Sequence, residues 1–234
     1  MKSRIDLIRD EEKRYHDYCY ENYSLFEEGS WLYKPVKTVM NNLNLFNHLD
    51  INVLDLGCGV GRNSIPIAEK LKNSKGKVVC VDILDTAINK LLQYSKKYNM
   101  LEIIEAHRNE ISDFSIIQDM YDYIIAVSAI EHVQSELVFQ QVLRSMAFGT
   151  KTNGINCIIM NTNIHELDLE TNEQLEPYIE LNFDTNNAIS LLRNNYSGWD
   201  ELSLTVNRQE YKIKRNERQI LLTSDVVTIV ARKM

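Results

Sequence analysis

Between about residue 35 and residue 161, short apolar runs alternate with helix-like segments, and this rhythm constrains the fold more than any other feature. Ile51 to Leu56 is an apolar run closed by glycines, and Lys77 to Asp82 is a β-branched run closed by an acid. Leu101 to Ala106, Tyr121 to Ser128 and Gly154 to Met160 read as three further strands. Helical patterns lie between them: from Pro35 toward Leu49, through Ile65, Ala68 and Leu71, from Thr86 to Tyr98, and from Glu136 to Ala147. Pro35 suits the first position of its helix. Strand–helix–strand units of this length need right-handed crossovers, which produce a parallel sheet covered on both faces. The predicted class is α/β, with a doubly wound, mostly parallel sheet.

After residue 161 the rhythm changes. Asp184 to Asn194 reads as a helix, with Asp184 or Thr185 as its N-cap. Trp199 to Val206 and Asp225 to Arg232 are strand-like, with no room for a crossover helix, and Gln209 to Leu222 alternates like a further short strand. The chain is therefore expected to end in an antiparallel hairpin. Residues 1–34 are predicted to form an N-terminal helical segment, and residues 35–234 one domain.

Composition narrows the function classes. The formal net charge is −7, and the densest basic stretch, Arg208 to Arg218, is interrupted by Glu210 and Glu217. That balance argues against a nucleic-acid partner, which calls for a basic stripe. The longest uncharged apolar run, Tyr123 to Ile130, is far short of the roughly 18 residues of a membrane span. Cys19, Cys58, Cys80 and Cys157 are widely separated, without a CxxC pair, and the five histidines show no ligand spacing, so neither a disulfide framework nor a metal site is expected. With no secretory pattern at the N-terminus, these features predict a reducing, cytoplasmic location.

The segment Val53-Leu54-Asp55-Leu56-Gly57-Cys58-Gly59-Val60-Gly61-Arg62-Asn63-Ser64 lies where the first strand turns into its helix, the place at which open parallel sheets bind ligands. Gly57, Gly59 and Gly61 allow a sharp turn and close approach of a ligand. A dinucleotide fingerprint needs a glycine at position 62, where this chain has Arg62, so a nicotinamide enzyme is disfavoured. Asp55 just before the glycines is awkward for a pyrophosphate but suits an ammonium group. Asp82, closing the second strand, can accept hydrogen bonds from two ribose hydroxyls. A nucleoside with a cationic tail satisfies both, and S-adenosylmethionine fits.

With Val81-Asp82 and Tyr121-Asp122-Tyr123-Ile124-Ile125, the glycine segment resembles the class I S-adenosylmethionine-dependent methyltransferases, a Rossmann-like family. The resemblance implies cofactor contacts along the loop, at Asp55, Gly57, Cys58, Gly59, Gly61 and Asn63. It also implies ribose at Asp82, adenine beside Ile83, the adenine amino group at Glu110 with the Ile111 amide next to it, and Ser128 beneath the reactive methyl. In pattern the chain is similar to the tellurite-resistance type of methyltransferase, which acts on small molecules. This similarity rests on the glycine segment, on Tyr196-Ser197-Gly198-Trp199-Asp200 and on the ending Ala231-Arg232-Lys233.

On the acceptor side the fourth strand ends in Ser128-Ala129-Ile130-Glu131-His132-Val133, without the prolines of enzymes that methylate nucleic-acid bases. His132 is a candidate base, against the simpler reading of a packed helix-start histidine. Tyr33 is the other catalytic candidate. The aromatic N-terminal segment reads first as an amphipathic helix. Trp31, Tyr33 and Lys34 are candidates for a lid that shelters sulfonium and substrate. The expected function is methyl transfer to a small molecule by in-line displacement. A protein or RNA methyltransferase, and a cofactor-binding protein without catalysis, are the alternatives.

Overall fold

The computed structural model describes residues 2–215 and 218–234. Its strands are β1 (Asn52–Leu56), β2 (Lys77–Asp82), β3 (Ile104–Arg108), β4 (Tyr121–Val127), β5 (Thr150–Asp168), β6 (Gln174–Leu175), β7 (Asp200–Arg215) and β8 (Arg218–Arg232). The helices are α1 (Arg4–Asn22), α2 (Lys37–Leu43), α3 (Ser64–Leu71), α4 (Asp85–Lys97), α5 (Glu136–Gly149) and α6 (Thr185–Asn195). Seven strands follow the order β3-β2-β1-β4-β5-β8-β7, and β6 pairs with β5 off that path. Strands β1 to β5 pair in parallel along this order, whereas β5–β8 and β7–β8 are antiparallel. The strand order reverses between β1 and β4, which opens a crevice at the C-terminal ends of these two strands.

Pleat alternation divides the core between the two faces. Val53 of β1 with Tyr123 and Ile125 of β4 packs against Leu43, Ile65, Leu71 and Leu91. Leu54 and Leu56 with Ile124 and Ala126 face Phe139, Leu143, Met146 and Leu192 on α5 and α6. The near-continuous apolar runs of β1, β2 and β4 are thus the signature of strands buried on both sides.

Several boundaries differ from the sequence expectation. The first predicted helix shrinks to α2, because Val36 is its N-cap, Pro35 stands outside it, and Asn41, Asn42 and Asn44 weaken its continuation. β3 starts at Ile104, three residues late. β5 does not stop at Met160 but runs to Asp168, because β8 supplies an antiparallel ladder as far as the Asp168–Ile220 pair. The alternating stretch from Gln209 to Leu222 is no separate short strand: its described residues belong to the paired strands β7 and β8, and residues 216 and 217 lie outside the described residues. Asp184 does cap α6, accepting from the amides of Asn186 and Asn187. Among the described residues, no helix is long and apolar enough to cross a membrane.

Candidate active site

The loop after β1 is positioned by its own backbone. Gly57 and Cys58 donate to the Val81 carbonyl at 2.8 and 3.0 Å, which ties the loop to the end of β2. Gly57 has φ +74°, and a Cβ built there would fall 2.3 Å from the Ala129 Cβ, so only glycine fits. At Gly59 (φ +53°) an added Cβ would meet only the Tyr20 hydroxyl, at 3.1 Å. The Asp82 carboxylate accepts from the Gly59 amide at 2.8 Å and the Leu84 amide at 2.9 Å. A carboxylate has about four acceptor positions, so half of its capacity stays available. Burial pushes its pKa up, and these backbone hydrogen bonds oppose the shift.

Asp55 is buried beneath the loop and accepts a hydrogen bond from the Ser64 hydroxyl at the start of α3. Burial raises its pKa to about 7, against the opposing Ser64 hydrogen bond. A cation brought close would lower it again. Asn63 is also buried, and its side-chain oxygen accepts from the Val36 amide, which joins the loop to the start of α2. Cys58 is buried too, and burial with Cys80 beside it holds its thiol protonated.

Ser128 ends β4 with φ +49°, a left-handed conformation that non-glycine residues seldom adopt. It remains exposed although it terminates a central strand. Ile83 is 44% exposed on the other side of Asp82. Exposed Ser128 and Ile83 thus mark the solvent side of the strand ends, beside the glycine loop and the Asp82 carboxylate. This donor set fits an adenosyl amino acid, the group that the sequence motif implied.

Helix α1 packs across these strand ends. Its inward stripe, Ile8, Arg9, Glu12, His16 and Tyr20, follows helical spacing. Arg4 donates to the carbonyls of Pro177 and Ile179, and Asp17 accepts from the Thr86 hydroxyl. Arg9 pairs with Glu110 and lies 3.8 Å from Glu180. His132 Nδ1 stands 2.9 Å from Glu180 Oε2 and 3.7 Å from Glu12 Oε2. Burial alone would lower the His132 pKa, but Glu12, Glu180 and Glu131 outweigh it and raise it to about 9. Trp31 joins the roof through His16 and Tyr20, and its carbonyl and ring both hold Arg62. Tyr33 and Lys34 contact each other, with the ammonium 4.5 Å from the ring centre.

Residues 53–154 match the family model of the methyltransferase domain. Over those residues the chain carries a methyltransferase domain. The match begins at β1 and ends at Gly154 in β5, so it contains the loop, Asp82 and Ser128. No curated protein matches the chain. Among solved structures, TehB from Haemophilus influenzae is 22% identical, with a TM-score of 0.65, covering 94% of this chain and 67% of its own. The YcgJ protein from Bacillus subtilis is 10% identical with a TM-score of 0.61, covering 84% and 97%. An S-adenosylmethionine-dependent methyltransferase from Methanosarcina mazei is 15% identical with a TM-score of 0.57, covering 86% and 99%. These likenesses establish the Rossmann-like fold, and S-adenosylmethionine is the cofactor that the domain match and these neighbours support.

Of the predicted positions, Asp55, Gly57, Cys58, Gly59, Gly61, Asn63, Asp82, Ile83 and Ser128 gather at the ends of β1, β2 and β4. Glu110 stands opposite α1 on Arg9, while the Ile111 side chain packs toward the α5 face. Sequence reading passed over Arg9, Glu12 and His16, because the aromatic spacing in α1 drew attention to packing. The polar stripe at 9, 12, 16 and 20 was the available signal. Glu180 lies far along the chain and carried none.

Proposed function

We propose that this methyltransferase acts on a small-molecule acceptor, held in a chamber that residues 1–34 close over the strand ends. The observation that carries the reading is the roof. From Arg4 to Asp17, α1 is fastened across the crevice by polar contacts to Pro177, Ile179, Glu110, Glu180, His132 and Thr86. An enclosed space suits a small acceptor better than a folded macromolecule.

Bound S-adenosylmethionine supplies a methyl group already activated on a sulfonium. The chain's residues then have to bind, align and exclude water. Gly57, Gly59 and Gly61 cradle the amino-acid end, with Asp55 below as the counter-charge. Asp82 takes the ribose hydroxyls, Ile83 lies against adenine, and Glu110 and the Ile111 amide meet the ring edge. Cys58 and Asn63 hold the loop in shape, and Ser128 floors the space for the methyl. Trp31 belongs to the lid, and Tyr33 with Lys34 continues it toward α2. Alignment of two reactants can contribute roughly 7–11 kcal/mol, and a roof that shuts out water adds to it. His132 already carries its proton at neutral pH, so its part is electrostatic and structural rather than that of a general base.

Tritiated S-adenosylmethionine offered separately to small-metabolite and macromolecular extracts tests the reading. Label is expected in the metabolite fraction. Label confined to protein or RNA, or cofactor binding without any product, would replace it with one of the alternative functions.

A further inference from the structure

We infer that Glu12, carried into the site on α1, is an acceptor-binding residue and that it selects an amine rather than an oxyanion. The inference rests on the reading above, that the chamber under α1 is where methyl transfer takes place.

Glu12 lies on the inward face of α1, and its side chain remains 34% exposed. Its Oε2 is 3.7 Å from His132 Nδ1 and 3.7 Å from His16 Nε2. Both distances are within ion-pair range and longer than a hydrogen bond. The carboxylate is therefore held ionised between two imidazoles while keeping its capacity to accept a proton-bearing group. Burial would raise its pKa, but His132, His16 and Arg215 together outweigh that and lower it. His132, by contrast, is committed to Glu180, a carboxylate only 2% exposed.

Carboxylates crowd this lining, although Arg215 also acts on Glu12. Glu12, Glu110 and Glu180 face Arg9 and His132, and Arg9 is shared between two of these acids. An oxyanion entering here would exchange its hydration for neighbouring carboxylates. An amine would give an N–H to Glu12 in a charge-assisted hydrogen bond. A second observation is an unpaired polar atom on the imidazole beside Glu12. Among the described residues, two buried side-chain polar atoms have no partner, His16 Nδ1 and Glu131 Oε2. His16 Nδ1 belongs to the imidazole whose Nε2 stands 3.7 Å from Glu12, whereas Glu131 precedes His132 in the chain and holds Asn161 with its other oxygen. Buried polar atoms are normally satisfied.

In the transfer, the amine nitrogen's lone pair forms the bond to the methyl carbon, and the carbon–sulfur bonding pair stays on sulfur. The acceptor binds as an ammonium, so the proton whose loss frees this lone pair leaves first, to Glu12 and then to water.

The test uses the full chain, wild type, Glu12→Gln and Glu12→Asp, each saturated with S-adenosylhomocysteine. Each complex is titrated near neutral pH and at constant ionic strength with 1-butylamine, butyrate or selenite, and melting temperature is followed. The amine is expected to stabilise wild type while butyrate and selenite do not. Glu12→Gln should need about tenfold more amine for the same shift, with Glu12→Asp intermediate. Butyrate or selenite acting as strongly as the amine, no amine response, or an unchanged response in Glu12→Gln would overturn the inference. Calorimetry with S-adenosylhomocysteine alone is the separate control. Absent binding there by wild type would remove the underlying functional reading as well.

Discussion

Single residues set the electrostatics of the crevice. The folded pKa of Asp55, about 7, lies above its ordinary 3.8, so the folded chain holds a proton that the unfolded chain has released. Its contribution to stability is therefore complete below 3.8 and is lost as pH rises toward 7. Melting curves should show wild type losing stability relative to Asp55→Asn across that interval; parallel curves would refute the assignment. A cationic cofactor end above Asp55 reverses the preference, so binding should release a proton near neutral pH. Calorimetry in buffers of different ionisation heat measures that release, which Asp55→Asn should abolish. Gly57 is the steric counterpart. Gly57→Ala drives a methyl into Ala129 at a positive φ and should cost about 2–3 kcal/mol in urea unfolding. Gly198→Ala, at φ +83° with nothing within 4 Å, should cost only about 1 kcal/mol. Asp82→Ala should weaken S-adenosylhomocysteine by about tenfold or more, through loss of a charged acceptor and of the Gly59 tether.

At the scale of elements, α1 is built to sit where it does. Ser3 and Asp6 close its N-terminus with a capping box, and only Ile8, Cys19 and Tyr20 are buried. Its docking therefore depends heavily on polar fastenings: Arg4 on Pro177 and Ile179, Arg9 on Glu110, Asp17 on Thr86, and the Glu12–His132 ion pair. Because Glu12, Glu180 and Glu131 raise His132 from 6.5 to about 9, that fastening is at full strength below 6.5 and fades as pH rises through 9. Trypsin should cut after Lys13 or Arg14, both exposed, several-fold faster in His132→Gln than in wild type at neutral pH. The two rates should converge as pH approaches 9. A constant ratio would show that His132 does not hold the helix. The antiparallel half of the sheet follows different physics. β7 is the edge strand, and Arg208, Lys212 and Arg215 along it discourage pairing with other chains.

For the whole molecule, β8 joins the two halves. It pairs with β5 on one side and β7 on the other, and Val227 and Ile229 are buried in the core shared with α5 and α6. Val227→Ala or Ile229→Ala should each cost about 1.5–4 kcal/mol in urea unfolding. Tyr211→Ala, on a side chain 50% exposed in the outer arm, should cost less than about 1 kcal/mol. Equal losses at both places would mean that the hairpin is a uniform appendage rather than a load shared with the core. The same extension carries β5 past the strand ends as far as Glu166 and Asp168, which pair with Arg215 and Arg218 across the sheet. Thus the crevice gains a wall on the side where α1 begins.

Much of this architecture follows from local chemistry that any reader of the chain can follow. Short continuous apolar runs and period-3.6 patterns mark the parallel strands and their helices, since the strands are buried on both faces and the helices on one. The Gly57-Cys58-Gly59-Val60-Gly61 turn and Asp82 announce the ligand end, because few residues tolerate that backbone and few ligands suit that acid. The length of β5 was not legible, because a ladder of hydrogen bonds depends on a partner more than fifty residues away. Nor was the meeting of Arg9, Glu12 and His16 with Glu110, His132 and Glu180. Charges attract according to distance in space, and only the packing of α1 across the strand ends set those distances.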